Sequence, residues 1–329
     1  MSSRTEPTVV LVTSRSFSSG DLDLAAELAA AGCTVVTGPS DHDLDILRPL
    51  LTSAVAWVAG TGPVTREHLA AAPALRIVAR YGVGVEAVDL AAAAERGVMV
   101  TNTPGANSGA VADHAVALML ATLRDVAGGD HGVRNGDWSV RRTRQLGELT
   151  VGIVGFGRIG RGVADRLQGF GSTVLAHDPY VDATQLGTAD VTGVDLPELA
   201  ARSDIITLHL PGEQVVVDEA FLGRVRPTMI LVNTARASLV DEPAVADALR
   251  SGRLAGYATD VLGTEVSSRD HAHPLLAEDL RDRTVFTPHA AAQTVEAVDG
   301  MGRGAVDAVV AVLRGEQPRH LVPLPDGAR

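Results

Sequence analysis

Three side chains that could act together in proton transfer lie directly after short β-rich runs in the second half of the chain: Arg236, Glu265 and His289. Ligands of an open parallel sheet bind beyond the carboxyl ends of its strands, so residues at these positions would share one edge. There an arginine can orient and polarise a 2-keto acid, a histidine can donate a proton, and a carboxylate can orient that histidine. The three residues therefore predict the reduction of a carbonyl group.

Each of the three side chains, taken alone, also fits an ordinary surface position. His289 lies in the segment TVFTPHAAAQT, where residues 284–287 predict a short buried strand that Pro288 ends. The alanine-rich stretch that follows is predicted to be helical, and helix starts often carry a polar residue. The role of His289 therefore depends on the rest of the chain.

The elements that must position these residues alternate along the chain, with β-rich runs between alanine-rich stretches, which is typical of parallel α/β layers. The first third predicts strands at Val9–Val12, Thr34–Val36, Ala54–Val58, Arg76–Ala79 and Met99–Thr101, and helices at Asp21–Ala30 and Leu90–Arg96. A long helix from Asn107 to Leu123 and an irregular Gly-rich segment, residues 124–148, come next. The second series predicts strands at Val151–Val154, Thr173–Ala176, Ile205–Leu208, Met229–Val232, Tyr257–Thr259 and Val285–Thr287, and a last helix at about Ala291–Leu313.

The most specific motif opens this second series. The predicted strand at Val151–Val154 leads into Gly155-x-Gly157-x-x-Gly160, and a helix follows at once. The glycines permit a tight turn, a close approach of backbone to a pyrophosphate, and packing of the helix on the strand. Asp178 ends the next strand, where a carboxylate binds the ribose hydroxyls and repels the 2′-phosphate of NADP. No arginine occurs in the run His177–Tyr180, so NAD is the predicted cofactor.

Composition excludes several classes of protein. The net charge of −12 and the lack of a basic tail argue against a nucleic-acid partner. All 28 basic residues are arginines, so lysine Schiff-base chemistry is impossible. The single cysteine, Cys33, excludes an internal disulfide and a cysteine-built zinc site. Without a long apolar run or a signal pattern at the start, the chain is expected in the cytoplasm, with no metal.

Four segments of the chain resemble the D-isomer-specific 2-hydroxyacid dehydrogenases: RYGVGVEAVDL, NTPGANSGAVADHAVALML, NTARASLVDE and TPHAAAQT. The chain differs from the family pattern at Glu86, Asp113, Ala237, Ala291 and Ala292. The resemblance implies that the backbone N–H groups of Val83 and Gly84 hold the substrate carboxylate and that Asn107 lies near the substrate. It also implies that Asp260 holds the nicotinamide carboxamide, and it supports His289 as the acid.

Both the motifs and the resemblance predict two Rossmann-like or flavodoxin-like parallel-sheet α/β domains with a cleft between them. Residues 1–102 and 292–329 are predicted to form a discontinuous substrate-binding domain, and residues 103–291 an NAD-binding Rossmann domain. The predicted cofactor contacts are Gly155, Gly157, Arg158, Ile159, Gly160, Asp178, His209, Pro211, Thr234, Ala235 and Asp260. A homodimer is expected through the nucleotide domain and the 124–148 arm, because family dimers use this region.

The predicted function is NAD-dependent hydride transfer between nicotinamide and a small D-2-hydroxy acid or 2-keto acid. One alternative is a phosphonate or phosphorylated hydroxy acid, whose second anionic group would meet Arg80 or the arm residues Arg141, Arg142 and Arg144. Solvated surface is the other interpretation of the three arm arginines. A different class, an NAD-sensing scaffold similar to the C-terminal-binding-protein corepressors, shares the fold and these residues.

Overall fold

A computed structural model of the chain describes residues 8–212, 214–263 and 273–325. The chain packs as two compact units, a discontinuous unit of Met1–Asn107 with Ala292–Arg329 and a central unit of Ser108–Ala291. The first boundary lies after the predicted one at residue 102. The reason is that Asn102 and Thr103 donate backbone hydrogen bonds within the discontinuous unit, to the carbonyls of His320 and Gly82.

The discontinuous unit is built on a five-stranded parallel sheet in the order β2-β1-β3-β4-β5. Its strands are β1 Thr8–Val12, β2 Cys33–Thr37, β3 Ala54–Ala59, β4 Ile77–Arg80 and β5 Met99–Thr101. Its helices are α1 Leu24–Ala30, α2 Leu44–Leu51, α3 Arg66–Ala70, α4 Leu90–Glu95 and α12 Val295–Leu313. The strand order is that of flavodoxin-like folds, so the site of such a unit lies at the carboxyl ends of its strands.

A seven-stranded parallel sheet forms the central unit, in the order β12-β11-β10-β9-β6-β7-β8. Its strands are β6 Thr150–Val154, β7 Thr173–His177, β8 Val191–Gly193, β9 Ile205–Leu208, β10 Ile230–Asn233, β11 Gly256–Thr259 and β12 Thr284–Phe286. Its helices are α5 Ser108–Leu123, α6 Val126–Arg134, α7 Arg158–Gln168, α8 Ala183–Leu186, α9 Leu196–Arg202, α10 Glu219–Leu222 and α11 Glu242–Arg250. The strand order reverses between β6 and β9, which is the ligand-binding point of a Rossmann sheet. The predicted fold class of two parallel-sheet α/β domains is confirmed.

The long helix α5 has apolar residues on most of its circumference, which is typical of a buried helix. It packs against α7 and against β10 and β11. Gly162 of α7 allows the close approach, since a Cβ at that position would lie 3.3 Å from the Cβ of Ala112. Helix α5 therefore brings its polar residues to the half of the sheet that ends in the predicted catalytic residues.

Several sequence predictions of elements are wrong in detail. The segment 124–148 is not irregular throughout, because it contains α6, and β8 was not predicted. Strand β12 is half-buried rather than buried, since it is the edge strand of its sheet. The last helix begins at Val295, where the Thr294 side chain caps the N–H of Ala297. Every helix among the described residues is too short or too polar to span a bilayer.

Candidate active site

The glycine-rich turn after β6 has the geometry that the sequence predicted. Gly155 adopts a φ of +94°, and a Cβ on it would lie 2.6 Å from the carbonyl carbon of His209. A Cβ on Gly160 would lie 2.1 Å from the Gly155 oxygen, whereas one on Gly157 would meet nothing within 4 Å. The first and third glycines are therefore required by packing, and the backbone at Gly157 is open to a ligand.

A cavity of about 470 Å³ lies at this turn. Its lining residues are Gly155, Phe156, Gly157, Arg158, Arg161, Asp178, Tyr180, Val181, His209, Leu210 and Pro211. The volume is in the range of cofactor and ligand sites, and the cavity lies where the strand order reverses. These residues fit a dinucleotide: the open glycine would face the pyrophosphate, and the carboxylate of Asp178 would face the ribose.

Backbone hydrogen bonds hold Asp178 in place at the cavity. Its Oδ2 accepts the N–H of Phe156 at 2.8 Å, and its Oδ1 accepts the N–H of Tyr180 at 2.9 Å. Two arginines of α7 line the same cavity, and the guanidinium of Arg161 lies 4.9 Å from the centre of the Phe156 ring. Reasoning from the residues around Asp178 missed Arg161, because this arginine lies on α7, earlier in the chain, and joins the cavity only in the fold.

His209 follows β9 and lies opposite the glycine-rich turn. Its ring Nε2 lies 2.9 Å from Thr207 Oγ1, and burial lowers its pKa to about 3, so the ring is neutral. Its Nδ1 and the hydroxyl of Thr234 are covered and have no hydrogen-bond partner among the described residues. Ile159 packs against the core and Ala235 is buried. The contact of these two residues with a cofactor therefore stays a prediction.

A chain of backbone hydrogen bonds joins the ends of β10, β11 and β12. The Asn233 carbonyl accepts the N–H of Asp260 at 3.0 Å, and the Asp260 carbonyl accepts the N–H of His289 at 3.0 Å. The hydroxyl of Thr259 also donates to the Asn233 carbonyl at 3.0 Å. The structure thus links the turns that follow these strands in a single row.

The turn that carries Arg236 is closed by Asn233, a residue that sequence reasoning missed. Asn233 Oδ1 accepts the N–H of Ala235 at 3.0 Å, and its Nδ2 donates to the Arg236 carbonyl at 2.8 Å. Arg236 donates from Nη1 to the Ala235 carbonyl at 2.8 Å and is half-buried. Its guanidinium is thus fixed beside the end of β10.

His289 is exposed and lies in a bend, six residues before α12 begins at Val295. Its interpretation as a helix-start residue is therefore wrong. Its φ of +53° is in the left-handed region, which non-glycine residues adopt only where their surroundings impose it. The histidine is held in a constrained turn at the carboxyl end of β12.

Hydrogen bonds to the Asp260 carboxylate hold this turn in its conformation. Its Oδ1 accepts the hydroxyl of Thr287 at 2.5 Å and the N–H of Ala290 at 2.8 Å, and its Oδ2 accepts the N–H of Ala291 at 2.9 Å. Burial alone would raise the pKa of Asp260, but these bonds and one from His114 outweigh it and hold that pKa below its usual range.

Glu265 lies outside the described residues. On the near side of that gap, Glu242 Oε1 accepts the N–H of Gly263 at 3.1 Å. On the far side, the other oxygen of Glu242 lies 2.9 Å from His273 Nε2. The described residues contain no cluster of metal-binding side chains.

The discontinuous unit carries the predicted substrate loop after β4. The Gly82 carbonyl accepts the N–H of Thr103 at 3.0 Å, and the Val83 carbonyl accepts Nδ2 of Asn102 at 2.8 Å. In a trans peptide the N–H points opposite to the carbonyl, and no peptide in the described residues is cis. The N–H groups of Val83 and Gly84 therefore point away from these partners, as two donors for an anion would need to.

Arg80 lies under this loop rather than in front of it. The residue is buried, its Nε donates to the Gly84 carbonyl at 3.0 Å, and its Nη1 donates to the Ala59 carbonyl at 3.0 Å. Its hydrogen bond to the Gly84 carbonyl therefore fixes the backbone of the predicted substrate loop from the buried side. Asn107 ends the first segment of the unit, and its Oδ1 is covered without a hydrogen-bond partner among the described residues.

Two of the arm arginines are held within the central unit. Arg141 lies 3.6 Å from a carboxylate oxygen of Asp125, and Arg144 lies 3.5 Å from one of Asp204. These contacts favour the interpretation of the arm as solvated surface. Arg142 is exposed.

A Rossmann sheet with a glycine-rich turn, an aspartate at the end of its second strand and an arginine and a histidine on later strand ends defines an NAD-binding α/β protein of the dehydrogenase class. Residues 116–291 match the family model of the D-isomer specific 2-hydroxyacid dehydrogenase NAD-binding domain. The chain belongs to the D-isomer specific 2-hydroxyacid dehydrogenase family.

The chain is 41% identical over 259 residues to a D-3-phosphoglycerate dehydrogenase of Mycobacterium leprae, covering 77% of this chain and 48% of that protein. It is 39% identical over 271 residues to a glyoxylate reductase of Korarchaeum cryptofilum, covering 80% of each. A solved structure of a Thermus thermophilus protein superposes with a TM-score of 0.85 at 32% identity, covering 96% of this chain and 100% of that one. The chain spans about half the length of the phosphoglycerate dehydrogenases that it matches.

Proposed function

We propose that this chain is an NAD-dependent oxidoreductase that transfers a hydride between nicotinamide and a small D-2-hydroxy acid or the corresponding 2-keto acid. The observation that carries the proposal is the row of hydrogen bonds from Asn233 through Asp260 to His289. It links the arginine turn to the histidine turn at the sheet edge where a Rossmann fold binds its ligands. Family membership and the cavity at the glycine-rich turn support the same function.

Each predicted side chain has a separate role in this reaction. His289 donates a proton to the carbonyl oxygen as the hydride arrives at the carbon, and it takes the proton back in the oxidation direction. Arg236 binds and polarises the 2-keto acid through its two-pronged guanidinium. Glu265 orients the imidazole, and the N–H groups of Val83 and Gly84 hold the carboxylate. The bound cofactor would supply the hydride as NADH in reduction and accept it as NAD in oxidation, and Asp178 would select it by binding the ribose.

A small acid without a phosphate is the favoured substrate class. The guanidinium of Arg80 holds the carbonyls of Ala59 and Gly84. Arg141 and Arg144 are held by carboxylates of the central unit. A phosphorylated substrate would need a cation with donors directed toward it, so the contacts of these three arginines do not favour that alternative, which is left with the exposed Arg142. The scaffold alternative has no specific observation in its support.

NADH oxidation with a panel of 2-keto acids tests the proposal. The panel comprises glyoxylate, hydroxypyruvate, pyruvate, bulkier 2-keto acids and phosphonopyruvate. His289→Asn should abolish most of the activity, whereas the control His320→Asn should keep it, since His320 is exposed and has a similar φ of +56°. Lack of turnover with every member of the panel would refute the enzyme and favour the scaffold. Preference for phosphonopyruvate would favour the phosphonate alternative.

The homodimer through the nucleotide domain and the 124–148 arm, and the cytoplasmic location, are parts of this proposal. The arm exposes apolar side chains, with Trp138 77% and Val140 94% exposed. Burial of such surface is the usual driving force of association. Sedimentation at micromolar concentration should give a dimer, and Val140→Asp should shift it toward monomer. A monomeric wild-type protein would exclude this interface.

A further inference from the structure

His114 of α5 lies against the turn that carries His289. Its Nε2 lies 2.9 Å from the hydroxyl of Thr287 and 3.5 Å from Asp260 Oδ1. The His114 side chain is 22% exposed, while that of Asp260 is 1% exposed. The histidine thus covers the outer side of a buried carboxylate that organises residues 287–291.

The directions of these hydrogen bonds follow from the number of available protons. Thr287 has one hydroxyl proton, which it donates to Asp260 Oδ1 at 2.5 Å. Its oxygen can then only accept from His114 at 2.9 Å, so Nε2 of His114 carries a hydrogen. His114 is therefore the first donor in a series of hydrogen bonds that runs through the hydroxyl of Thr287 to Asp260.

This series stabilises a backbone conformation that is unfavourable alone. A non-glycine residue in the left-handed region, as His289 is, is strained and persists only where its surroundings determine that conformation. Asp260 determines the conformation here, because its carboxylate accepts hydrogen bonds from two N–H groups of the turn at 2.8 and 2.9 Å. A buried carboxylate needs such donors to remain charged. Loss of one outer donor would loosen the turn without removing a reacting group.

We propose that His114 is a positioning residue for the proton donor: its Nε2–H, through Thr287 and Asp260, fixes the 287–291 turn and thereby the direction of the His289 imidazole. The inference rests on the proposed role of His289 as the acid. It assigns a function in the chemistry to a residue of a core helix that packs against the strands carrying the site. Positioning matters because a displacement of about 1 Å can cost roughly 100-fold in rate.

Two substitutions of His114 separate the donor from the bulk of the ring. His114→Gln places an N–H near the position of Nε2, whereas His114→Leu fills the space without a donor. His114→Leu should lower kcat for the preferred 2-keto acid by roughly tenfold to 100-fold. The NADH Kd and the KM of the acid should stay within about threefold, and His114→Gln should restore at least half of the wild-type kcat.

Thr287→Val tests the same series from the other end, since valine keeps the shape and removes the hydroxyl. It should lower kcat as His114→Leu does. The kcat of the double variant should lie within about threefold of that of either single variant, because both substitutions break the same series of hydrogen bonds. Leu118→Ala, on the buried side of the same helix, serves as the stability control. It should lower Tm at least as much as His114→Leu does and keep the wild-type kcat.

A second readout does not need turnover. With histidines labelled at Cε1, the NMR resonance of His289 is identified by its loss in His289→Asn. The chemical shift of this resonance should change in His114→Leu and in Thr287→Val. It should stay the same in Leu118→Ala. Wild-type kcat and an unmoved resonance in His114→Leu would overturn the inference. So would a His114→Gln variant as slow as His114→Leu. A wild-type protein without turnover would instead refute the proposed function, and the resonance would still decide whether His114 fixes the turn.

Discussion

Acid should destabilise the discontinuous unit through one buried histidine, His42. The residue is 2% exposed, its Nδ1–H donates to the Pro63 carbonyl at 2.9 Å, and its Nε2 accepts the hydroxyl of Thr13 at 2.7 Å. The Thr13 oxygen in turn accepts Nε1–H of Trp57 at 2.9 Å. Every polar atom of the neutral imidazole is thus satisfied, and a second proton on Nε2 would face a hydroxyl that already donates to it.

The magnitude follows from the pKa of His42, which is lowered from 6.5 to about 4. Burial is the main cause, and the charges of Arg80 and His68 act in the same direction, while the Pro63 carbonyl and Asp41 oppose it. Because the folded-state pKa is depressed, the unfolded chain binds the proton first as pH falls. The stabilisation is complete above pH 6.5 and is lost between 6.5 and 4, in total about 3 kcal/mol at ~1.4 kcal/mol per pKa unit.

Urea unfolding between pH 4.5 and 7.5 measures this loss. Trp57 lies in van der Waals range of the ring, with centroids 5.0 Å apart, so a Trp138→Phe background makes its emission report on this unit alone. His42→Asn, which tolerates the local φ of +60°, should flatten the dependence of the free energy of unfolding on pH below 6.5. His320→Asn, exposed and also left-handed, should keep the wild-type slope. Equal slopes for wild type and His42→Asn would show that His42 does not stay neutral in the fold.

Three further outcomes are expected at the central unit, each measured by steady-state kinetics. His289→Asn should cut reductive turnover by ~10²–10⁴ while NADH binding is kept, and reduction by the wild type should slow as pH rises because the acid must be protonated. NAD should be preferred over NADP by at least tenfold in kcat/KM, about 1.4 kcal/mol. Asp178→Ala should reduce the preference for NAD, because Arg158 and Arg161 line the same cavity and would attract the 2′-phosphate of NADP. An unchanged ratio of the two kcat/KM values would mean that Asp178 does not select the cofactor. Arg236→Lys keeps the charge but loses the fork, so it should chiefly raise KM for the acid, and an unchanged KM would count against its binding role.

The parts of the fold that could be predicted from the sequence are those decided by local patterns. The alternation of strands and helices depends on nearby residues, and Gly155 is required by a turn whose φ of +94° only glycine adopts readily. Short or weak elements were missed. Strand β8 has only three residues, and α6 contains three glycines that lower its helix propensity, so neither gives a clear pattern.

The start of α12 was mispredicted because tertiary contacts override propensity. Residues 290–293 read AAAQ, which favours a helix. The N–H groups of Ala290 and Ala291 instead bind the carboxylate of Asp260, and Thr294 caps the helix that starts at Val295. A carboxylate thirty residues away along the chain cannot be found by periodicity.

The same reasoning explains why the sequence indicates candidate reacting residues but not the residues that hold them in place. Arg236 and His289 follow predicted strands, and their chemistry is visible in their residue types. Asn233 and His114 have no such signal, since an amide at a strand end and a histidine in an apolar helix are ordinary residues. Their roles arise from hydrogen bonds across strands and from a helix to a turn, which depend on packing.

Each unit has its own polar network beneath a predicted functional turn, and the proposed roles of the two turns imply different kinetic effects. In the discontinuous unit, Arg80 holds the backbone of the substrate loop and lies near enough to His42 to influence its charge. In the central unit, Asp260 holds the turn that carries His289, the proposed proton donor. If Val83 and Gly84 hold the substrate carboxylate, as proposed, loosening the first network should act on KM of the acid. Loosening the second alters the direction of His289, so it should act on kcat. On the proposed roles of these turns, substrate binding and proton transfer should therefore respond to substitutions at different residues.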